Sequence, residues 1–317
     1  MPLKIALTGA TGFVGRAVIL ALMAEHHQVS ALVRDSSRAD LHADLRQVPG
    51  DLQNIVALDD LTKGAEVVIH IAGVIGARSR SDFFVANEQG TLRVAEAAAR
   101  NGVKRFVQIS SLSAREPALS AYGASKCAGE TVLENFKTQM SVIVLRPPAV
   151  YGPGDKGTFP LLRSLTQSIA LIPSNSKARF SLIYVDDLAR IIAEAAGATK
   201  SGVIELDDNQ QLGYDWMELV RIAKASERRS ITPIFLPKFI AMSVAVIVEA
   251  FAKVSGKIPF VSRDKIHQLY HWDWVARGAG WPLKEPIGFA AGFKTTVDWY
   301  RQAQWLPQRF SKYKIVT

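Results

Sequence analysis

The sequence has 317 residues, 48% of them hydrophobic, which is enough for a globular protein with a sizeable core. Its formal net charge of +9 is spread along the chain and forms no Lys/Arg tract. This argues against a nucleic-acid partner and favours a phosphorylated cofactor or an anionic membrane surface. The single cysteine, Cys127, excludes an internal disulfide and has no partners for a metal site. The amino-terminal stretch MPLKIALTGATGFVG lacks the features of a secretory signal, so we expect a cytoplasmic protein whose fold begins at residue 1.

Short apolar runs alternate with helical patterns up to about residue 150. Strands are predicted at residues 4–8, 28–33, 67–72, 105–110 and 141–146. Their near-continuous apolarity is typical of strands that are covered on both faces. Between them lie segments such as 88–101, which Asn101-Gly102 closes as a helix stop. This alternation predicts an α/β fold with a parallel sheet and right-handed crossovers.

The regular alternation of predicted strands and helices ends at the turn-rich stretch YGPGDKGTFP, residues 151–160. Helices are predicted near 160–170, 186–197, 214–226, 237–254 and 286–303, with weak strands near 181–185 and 202–206. We therefore predict a main domain over residues 1–155, to which residues 181–197 return. Residues 156–317 are predicted to form most of a smaller, mainly helical substrate-binding region.

A glycine-rich turn joins the first predicted strand to a helical pattern. Glycines at such a turn permit a tight bend and let backbone N–H groups approach a pyrophosphate. The glycine spacing is three and three, unlike the two-and-three spacing of the usual dinucleotide fingerprint. In its strand–turn–helix context it still predicts a Rossmann-type, doubly wound sheet that binds a dinucleotide. The predicted contacts are Gly9, Thr11, Gly12, Phe13, Val14 and Gly15.

The end of the second predicted strand bears on which dinucleotide is bound. An acidic residue there usually binds the ribose hydroxyl of NAD, whereas an arginine accommodates the 2′-phosphate of NADP. Here the strand is followed by Arg34 and Arg38, with Asp35 between them. We predict that NADP is preferred and that both arginines contact it; NAD, with Asp35 on the ribose, is the alternative. Asp51 and Leu52 are predicted to cover the adenine.

The stretch YGASK places Tyr122 and Lys126 four residues apart, on one face of a helix. Alone, this pair is also typical of a solvated helix surface. Six further motifs occur in order with it: TGATGFVG at 8–15, IHIAG at 69–73, NEQGT at 87–91, ISS at 109–111, LRPPAVYGPGD at 145–155 and YVDDLA at 184–189. Together they resemble the extended short-chain dehydrogenase/reductases, also called the NAD-dependent epimerase/dehydratase family.

The resemblance implies an enzyme in which Tyr122 is the general acid/base while a nicotinamide exchanges hydride. The Lys126 cation and the oxidised nicotinamide would lower the pKa of the phenol toward working pH. Lys126 would also hold the nicotinamide ribose. Ser111 matches the hydroxyl that hydrogen-bonds the reacting oxygen, with Ser110 and Ser113 as alternatives.

Further positions carry roles that the resemblance implies. Asn87 matches a residue that supports the lysine, through water. The positions that would line the cofactor are Ala72, Gly73, Pro147 and Val150. No metal is expected, because His267 and His271 lack a third ligand at suitable spacing.

Departures from the family pattern bear on the substrate. Dehydratases have acidic residues where this chain has Leu112 and Ser113. Sugar-nucleotide epimerases place an arginine at the position of Phe180, and Arg179 is one residue out of register. These differences favour an oxidoreductase that exchanges hydride between NADP(H) and the carbonyl or secondary alcohol of a less polar, lipid-like molecule. A sugar-nucleotide epimerase and a non-catalytic NADPH-binding accessory subunit are the alternatives.

The apolar run FIAMSVAVIV at residues 239–248 is shorter than the ~20 residues that span a bilayer. It predicts either a helix packed in the substrate-binding region or a peripheral membrane contact through 239–252 that takes up a lipid-like substrate. The alanine-rich stretch 94–99 suits both a monomer and a homodimer.

Overall fold

The computed structural model describes residues 1–35, 41–259 and 261–308. Its strands are β1 (Lys4–Thr8), β2 (Gln28–Val33), β3 (Arg46–Pro49), β4 (Val67–His70), β5 (Arg105–Ile109), β6 (Ser141–Arg146), β7 (Ala149–Tyr151), β8 (Ile169–Ile172), β9 (Arg179–Phe180), β10 (Leu182–Tyr184), β11 (Gly202–Glu205), β12 (Tyr214–Asp215), β13 (Thr232–Phe235) and β14 (Asp273–Trp274).

The α-helices are α1 (Phe13–Ala24), α2 (Ile55–Thr62), α3 (Arg80–Phe84), α4 (Gly90–Arg100), α5 (Ala121–Val132), α6 (Phe159–Ser164), α7 (Val185–Gly197), α8 (Trp216–Glu227), α9 (Lys238–Ser255), α10 (Arg263–Leu269) and α11 (Phe289–Gln302). A π-helical turn, Val85–Gln89, joins α3 to α4.

A seven-stranded parallel sheet forms the centre, in the order β11-β6-β5-β4-β1-β2-β3. The chain starts at β1 near the middle, winds outward to β3, and returns through β4 to the other edge. This is the predicted doubly wound α/β fold, which is thereby confirmed. The carboxyl ends of β1 and β4 lie side by side where the winding reverses, the usual place for a ligand in open α/β sheets.

The sheet is buried on both faces because its strands alternate between two cores. Ile5 and Leu7 of β1 pack with α1 and α7, whereas Ala6 faces the core built by α2 and α4. This two-sided covering is why the strands read as continuous apolar runs. The short turn between Thr8 and Phe13 places the amino terminus of α1 next to the carboxyl end of β1.

Two details differ from the sequence-based expectation. The helix predicted near 160–170 ends at Ser164, because residues 169–172 pair in parallel with β13 as strand β8. The weak strand near 202–206 becomes β11, an edge strand of the main sheet beside β6. Residues beyond 197 therefore also contribute to that sheet.

The carboxyl-terminal elements enclose a separate aromatic core. Tyr151, Trp216, Phe289, Phe293 and Tyr300 are all buried in it. By contrast, α9 and α10 share a small apolar contact, in which Ala241, Ala245 and Ile266 are buried and Met242 and Leu269 are partly buried. None of the helices within the described ranges is long and apolar enough to cross a membrane.

Candidate active site

The glycine-rich turn brings backbone close to backbone. A Cβ at Gly15 would lie 2.1 Å from the Gly9 carbonyl oxygen, so only glycine fits there. Helix α1 begins after Gly12, and no side chain of the described residues caps its first turn. The unpaired N–H groups and the helix dipole suit a pyrophosphate, so this turn fits the predicted dinucleotide.

The floor of this turn is supported by a buried polar pair. Thr8 Oγ1 lies 2.6 Å from His70 Nδ1, at the ends of neighbouring strands. Burial, with the nearby positive charge of Lys126, lowers the pKa of His70 to about 3, so the imidazole is neutral. Sequence analysis assigned His70 no role, although it lies within IHIAG.

Helix α5 carries the Tyr–Lys pair. Ser120 caps this helix, its Oγ accepting a hydrogen bond from the N–H of Gly123 at 2.9 Å. Tyr122 therefore lies in the first turn, and Lys126 is one turn further along the same face. The prediction that these side chains share one helix face is met in the structure.

Lys126 is almost fully buried, and its Nζ donates a hydrogen bond to the Ile109 carbonyl at 2.6 Å. Burial lowers the pKa of Lys126 to about 8, although the negative charge of Glu130 opposes this shift. The ammonium is thus held at the carboxyl end of β5, beside the Gly73 loop. A Cβ at Gly73 would lie 3.8 Å from Lys126 Nζ and only 2.7 Å from Asn87 Oδ1.

The Ser111 side chain lies near the phenol of Tyr122, and both residues line the same cleft. Burial raises the pKa of Tyr122 above its ordinary value, and the Ser111 side chain opposes this to a smaller extent. The direction is opposite to the lowered pKa expected from the sequence, because loss of hydration destabilises the phenolate. Ser110, one alternative to Ser111, instead donates its hydroxyl to Glu130.

Asn87 lies in the π-helical turn and organises the backbone around the lysine. Its Oδ1 accepts from the N–H of Val74 at 2.8 Å, and its Nδ2 donates to the Val74 carbonyl at 3.1 Å and to Ser125 Oγ at 2.9 Å. It thereby fixes the loop after β4 against α5. Among the described residues Asn87 has no direct hydrogen bond to Lys126; it contacts the Val74 backbone and Ser125 instead.

Glu130 is the charged residue that sequence reasoning missed. It follows Lys126 by one more helical turn and is buried, where its Oε1 accepts from Arg146 Nε at 2.9 Å and its Oε2 accepts from Arg146 Nη2 at 2.5 Å. Arg146 also faces Glu205, which pairs with Arg115 at 2.9 Å. The spacing of Tyr122, Lys126 and Glu130, four residues each, was the available signal.

A large cleft connects these groups and has a volume of ≈ 3080 Å³. Because a pocket for one small ligand is typically about 300–1,000 Å³, this cleft has room for a dinucleotide and a second molecule. The predicted cofactor residues that line it are Gly9, Thr11, Gly12, Phe13, Val14, Gly15, Arg34, Asp51, Leu52, Ala72, Gly73, Pro147 and Val150. The predicted contact Arg38 lies outside the described residues.

Arg179 and His271, two residues considered in the sequence analysis, make contacts with residues other than the Tyr–Lys pair. Arg179 Nε donates to the Leu212 carbonyl at 2.8 Å, and its Nη1 lies 3.5 Å from an oxygen of Asp215. His271 packs against the ring of Trp274. In the described parts of the chain, no group of three or more His, Cys, Asp or Glu side chains is arranged to hold a metal ion.

Residues 5–206 match the model of the NAD dependent epimerase/dehydratase family. The chain belongs to this family. It is therefore an NAD(P)-dependent enzyme of the short-chain dehydrogenase/reductase superfamily, as the motifs of the sequence predict.

Relatives within the epimerase/dehydratase family differ in their reactions. The chain is 38% identical to a ceramide reductase of Caulobacter vibrioides over 310 residues, covering 96% of each protein. It is 27% identical to a UDP-glucose 4-epimerase of Vibrio cholerae, covering 96% of this chain and 97% of that one. Membership of the family thus leaves both reduction and epimerisation open.

Solved structures of the family share the fold. The UDP-glucuronic acid 4-epimerase of Bacillus cereus in complex with NAD superimposes with a TM-score of 0.70 at 19% identity, over 95% of this chain and 99% of that chain. At this identity the likeness concerns the fold alone.

Proposed function

We propose that this protein is an NADP(H)-dependent reductase that converts a ketone of a ceramide-like lipid into a secondary alcohol. The observation that carries the proposal is the convergence of Ser111, Tyr122 and Lys126 in the cleft that the glycine-rich turn also lines. NAD(H) is the alternative cofactor. Peripheral contact with a membrane belongs to the same proposal, since the substrate is a lipid.

The three side chains divide the chemistry between them. A nicotinamide cofactor, held by the glycine-rich turn and Lys126, would supply the hydride that the carbonyl carbon accepts. Tyr122, kept protonated by its raised pKa, donates its phenolic proton to the carbonyl oxygen, while the Ser111 hydroxyl hydrogen-bonds the same oxygen. Lys126 stabilises the phenolate that remains, and its fixed position in α5 keeps this ammonium near the reaction.

The cofactor preference is supported by Arg34, which directly follows β2, is exposed and lines the cleft. A guanidinium can bind a 2′-phosphate through two parallel hydrogen bonds. The apolar nature of the substrate is supported by Leu171, Leu236 and Val244, which line the cleft. The greater identity to a ceramide reductase than to a sugar-nucleotide epimerase also favours a lipid.

The experiment mixes the purified protein with NADPH and a ceramide whose secondary alcohol has been oxidised to a ketone, dispersed in detergent. We expect NADPH absorbance to fall and the lipid to gain two hydrogens. Tyr122→Phe should bind NADPH normally but react ~10²–10⁴-fold more slowly, because it lacks the proton donor. If NADPH binds and nothing is reduced, the epimerase or accessory-subunit function replaces the proposed one; interconversion of UDP-sugars separates these two.

A further inference from the structure

Helix α9 turns a continuous apolar face toward solvent. Seven large side chains of this 18-residue helix are more than two-fifths exposed: Phe239, Ile240, Val244, Val246, Ile247, Phe251 and Val254. We call these residues the α9 face. Only the small residues Ala241, Ala245 and Ala252 are buried. The helix therefore rests on the protein along a narrow stripe and presents its bulky side chains outward.

The spacing makes these side chains one surface. Ile240, Val244, Ile247, Phe251 and Val254 recur at intervals of three and four residues, so they form a single stripe. Contiguous exposed apolar area of this kind marks an interaction site on a protein surface. The exposed fraction reaches 71% at Phe251 and 90% at Val254, near the end of the helix.

Positive charge accompanies the α9 face. Lys238, Lys253 and Lys257 are exposed at or beside the ends of the helix. The acidic residue of α9, Glu249, is bonded to Arg263, with 2.7 Å between Glu249 Oε2 and Arg263 Nε. Lys253 and Lys257 also line the cleft, so this positive charge is shared between the helix surface and the cleft wall. An apolar face with lysines along its margin suits a helix that lies in the interface of an anionic bilayer.

The same face borders the cleft. Ile240 and Val244 belong to the α9 face and also line the cleft, where Ile169, Leu171 and Leu236 continue the apolar wall. The Leu236 N–H donates to the Ile172 carbonyl at 3.0 Å, which fixes the start of α9 beside β8. An acyl chain could therefore pass from a bilayer into the cleft along apolar side chains.

We propose that α9 is an interfacial helix whose apolar face lies in an anionic membrane and admits the lipid substrate directly into the cleft. The lipid part of this inference rests on the proposed function. The membrane contact itself rests on the exposed apolar face and its lysines. A second copy of the chain is the competing occupant of this face.

The test compares three full-length proteins by sedimentation with vesicles made of equal parts phosphatidylcholine and phosphatidylglycerol. Phe251→Asp places a charge in the α9 face. Val56→Asp is the matched control, because Val56 is 79% exposed on helix α2, away from the cleft. We expect the wild type and Val56→Asp to sediment with the vesicles. Phe251→Asp should bind the vesicles at least about tenfold more weakly. Circular dichroism verifies that the variants are folded.

Equal sedimentation of all three proteins would overturn the proposal. The proposal would also fail if the wild type does not bind vesicles and is a dimer while Phe251→Asp is a monomer. A second copy of the chain would then cover the α9 face. Assays of the oxidised ceramide in detergent and in vesicles separate the two proposals. Reduction of the ketone in detergent by wild type and Phe251→Asp alike, with loss of the vesicle reaction in the variant, supports the membrane contact. If the ketone is not reduced in detergent, the proposed function fails, and sedimentation alone decides the membrane contact.

Discussion

The carboxylate of Asp264 accepts a hydrogen bond from the backbone N–H of Ala121, with 2.7 Å between Oδ2 and N. Ala121 is the first residue of α5 and directly precedes Tyr122. Gln268, also on α10, donates from Nε2 to the Ser120 Oγ at 2.7 Å. Helix α10 thus holds the start of the helix that bears the proton donor, and a negative charge there stabilises the positive end of the α5 dipole.

Asp264→Ala should therefore disturb the position of Tyr122 without touching the cofactor turn. We expect kcat to fall ~3–10-fold, KM for NADPH to stay unchanged and stability to fall by about 1 kcal/mol, as when a helix cap is lost. Asp264→Asn keeps an acceptor and should restore most of kcat. Steady-state kinetics and urea unfolding measure this, with Asp44→Ala, an 80% exposed carboxylate, as the control. A stability loss with unchanged kcat would show that the contact is only structural.

Glu130→Gln should change the pH dependence of reduction. Lys126 has a pKa of about 8 that Glu130 raises, so removing this charge lowers the pKa further. If the reaction needs the Lys126 ammonium, the rate is high below the pKa of Lys126 and falls above it. The rate of Glu130→Gln should therefore begin to fall at a lower pH than that of the wild type. We also expect a loss of about 2–4 kcal/mol in stability, because Arg146 loses a buried partner.

The measurement is kcat/KM for the ketone across neutral and alkaline pH. Glu134→Gln is the control, since Glu134 is exposed one turn further on and pairs with Lys137. A profile for Glu130→Gln that coincides with the wild type would mean that Lys126 does not set the fall in rate.

The five buried strands β1, β2, β4, β5 and β6 could be predicted because their signals are local. Buried strands such as Ser141–Arg146 are continuous apolar runs, and turn residues mark their ends. The end of the helix predicted near 160–170 could not be read in this way. Residues 169–172 become a strand only because Thr232–Phe235 pairs with them, and that pairing is distant in sequence.

The features of the site also separate into those that local sequence predicts and those that depend on residues distant in sequence. The shared face of Tyr122 and Lys126 follows from helical spacing alone. The contact between Asp264 and Ala121 joins residues 143 positions apart, and no local sequence pattern predicts it. The raised pKa of Tyr122 likewise depends on burial by residues from other elements, which the sequence does not reveal.

Asp208 should make stability depend on pH in the direction opposite to most carboxylates. Burial raises the pKa of Asp208 to about 6, although the Tyr214 hydroxyl donates to its Oδ2 at 2.5 Å. A folded pKa above the unfolded value means that the folded state binds this proton more tightly. The contribution of protonated Asp208 to folding stability is therefore fully present below about pH 4 and is lost as pH rises to about 6.

Asp208→Asn removes this titration. The difference in unfolding free energy between variant and wild type should move by about 2–3 kcal/mol in favour of the variant between about pH 4 and pH 7. Urea unfolding at both pH values measures the difference, and Asp44→Asn, at an exposed carboxylate, is the control. A difference that is the same at both pH values would refute a raised pKa at Asp208.

Arg34→Ala tests the cofactor preference. The exposed guanidinium after β2 lines the cleft where the ribose of the dinucleotide is proposed to lie. Removing it should raise the Kd for NADPH ~10–100-fold, because a charge-assisted contact to the 2′-phosphate is lost, and should change the Kd for NADH by less than about threefold. Fluorescence titration with both cofactors measures this, and Arg46→Ala is the control, since Arg46 pairs with Asp60 at 2.7 Å. Equal weakening for NADPH and NADH would remove the assignment of Arg34 to the phosphate and leave NAD, with Asp35 on its ribose, as the better-supported cofactor.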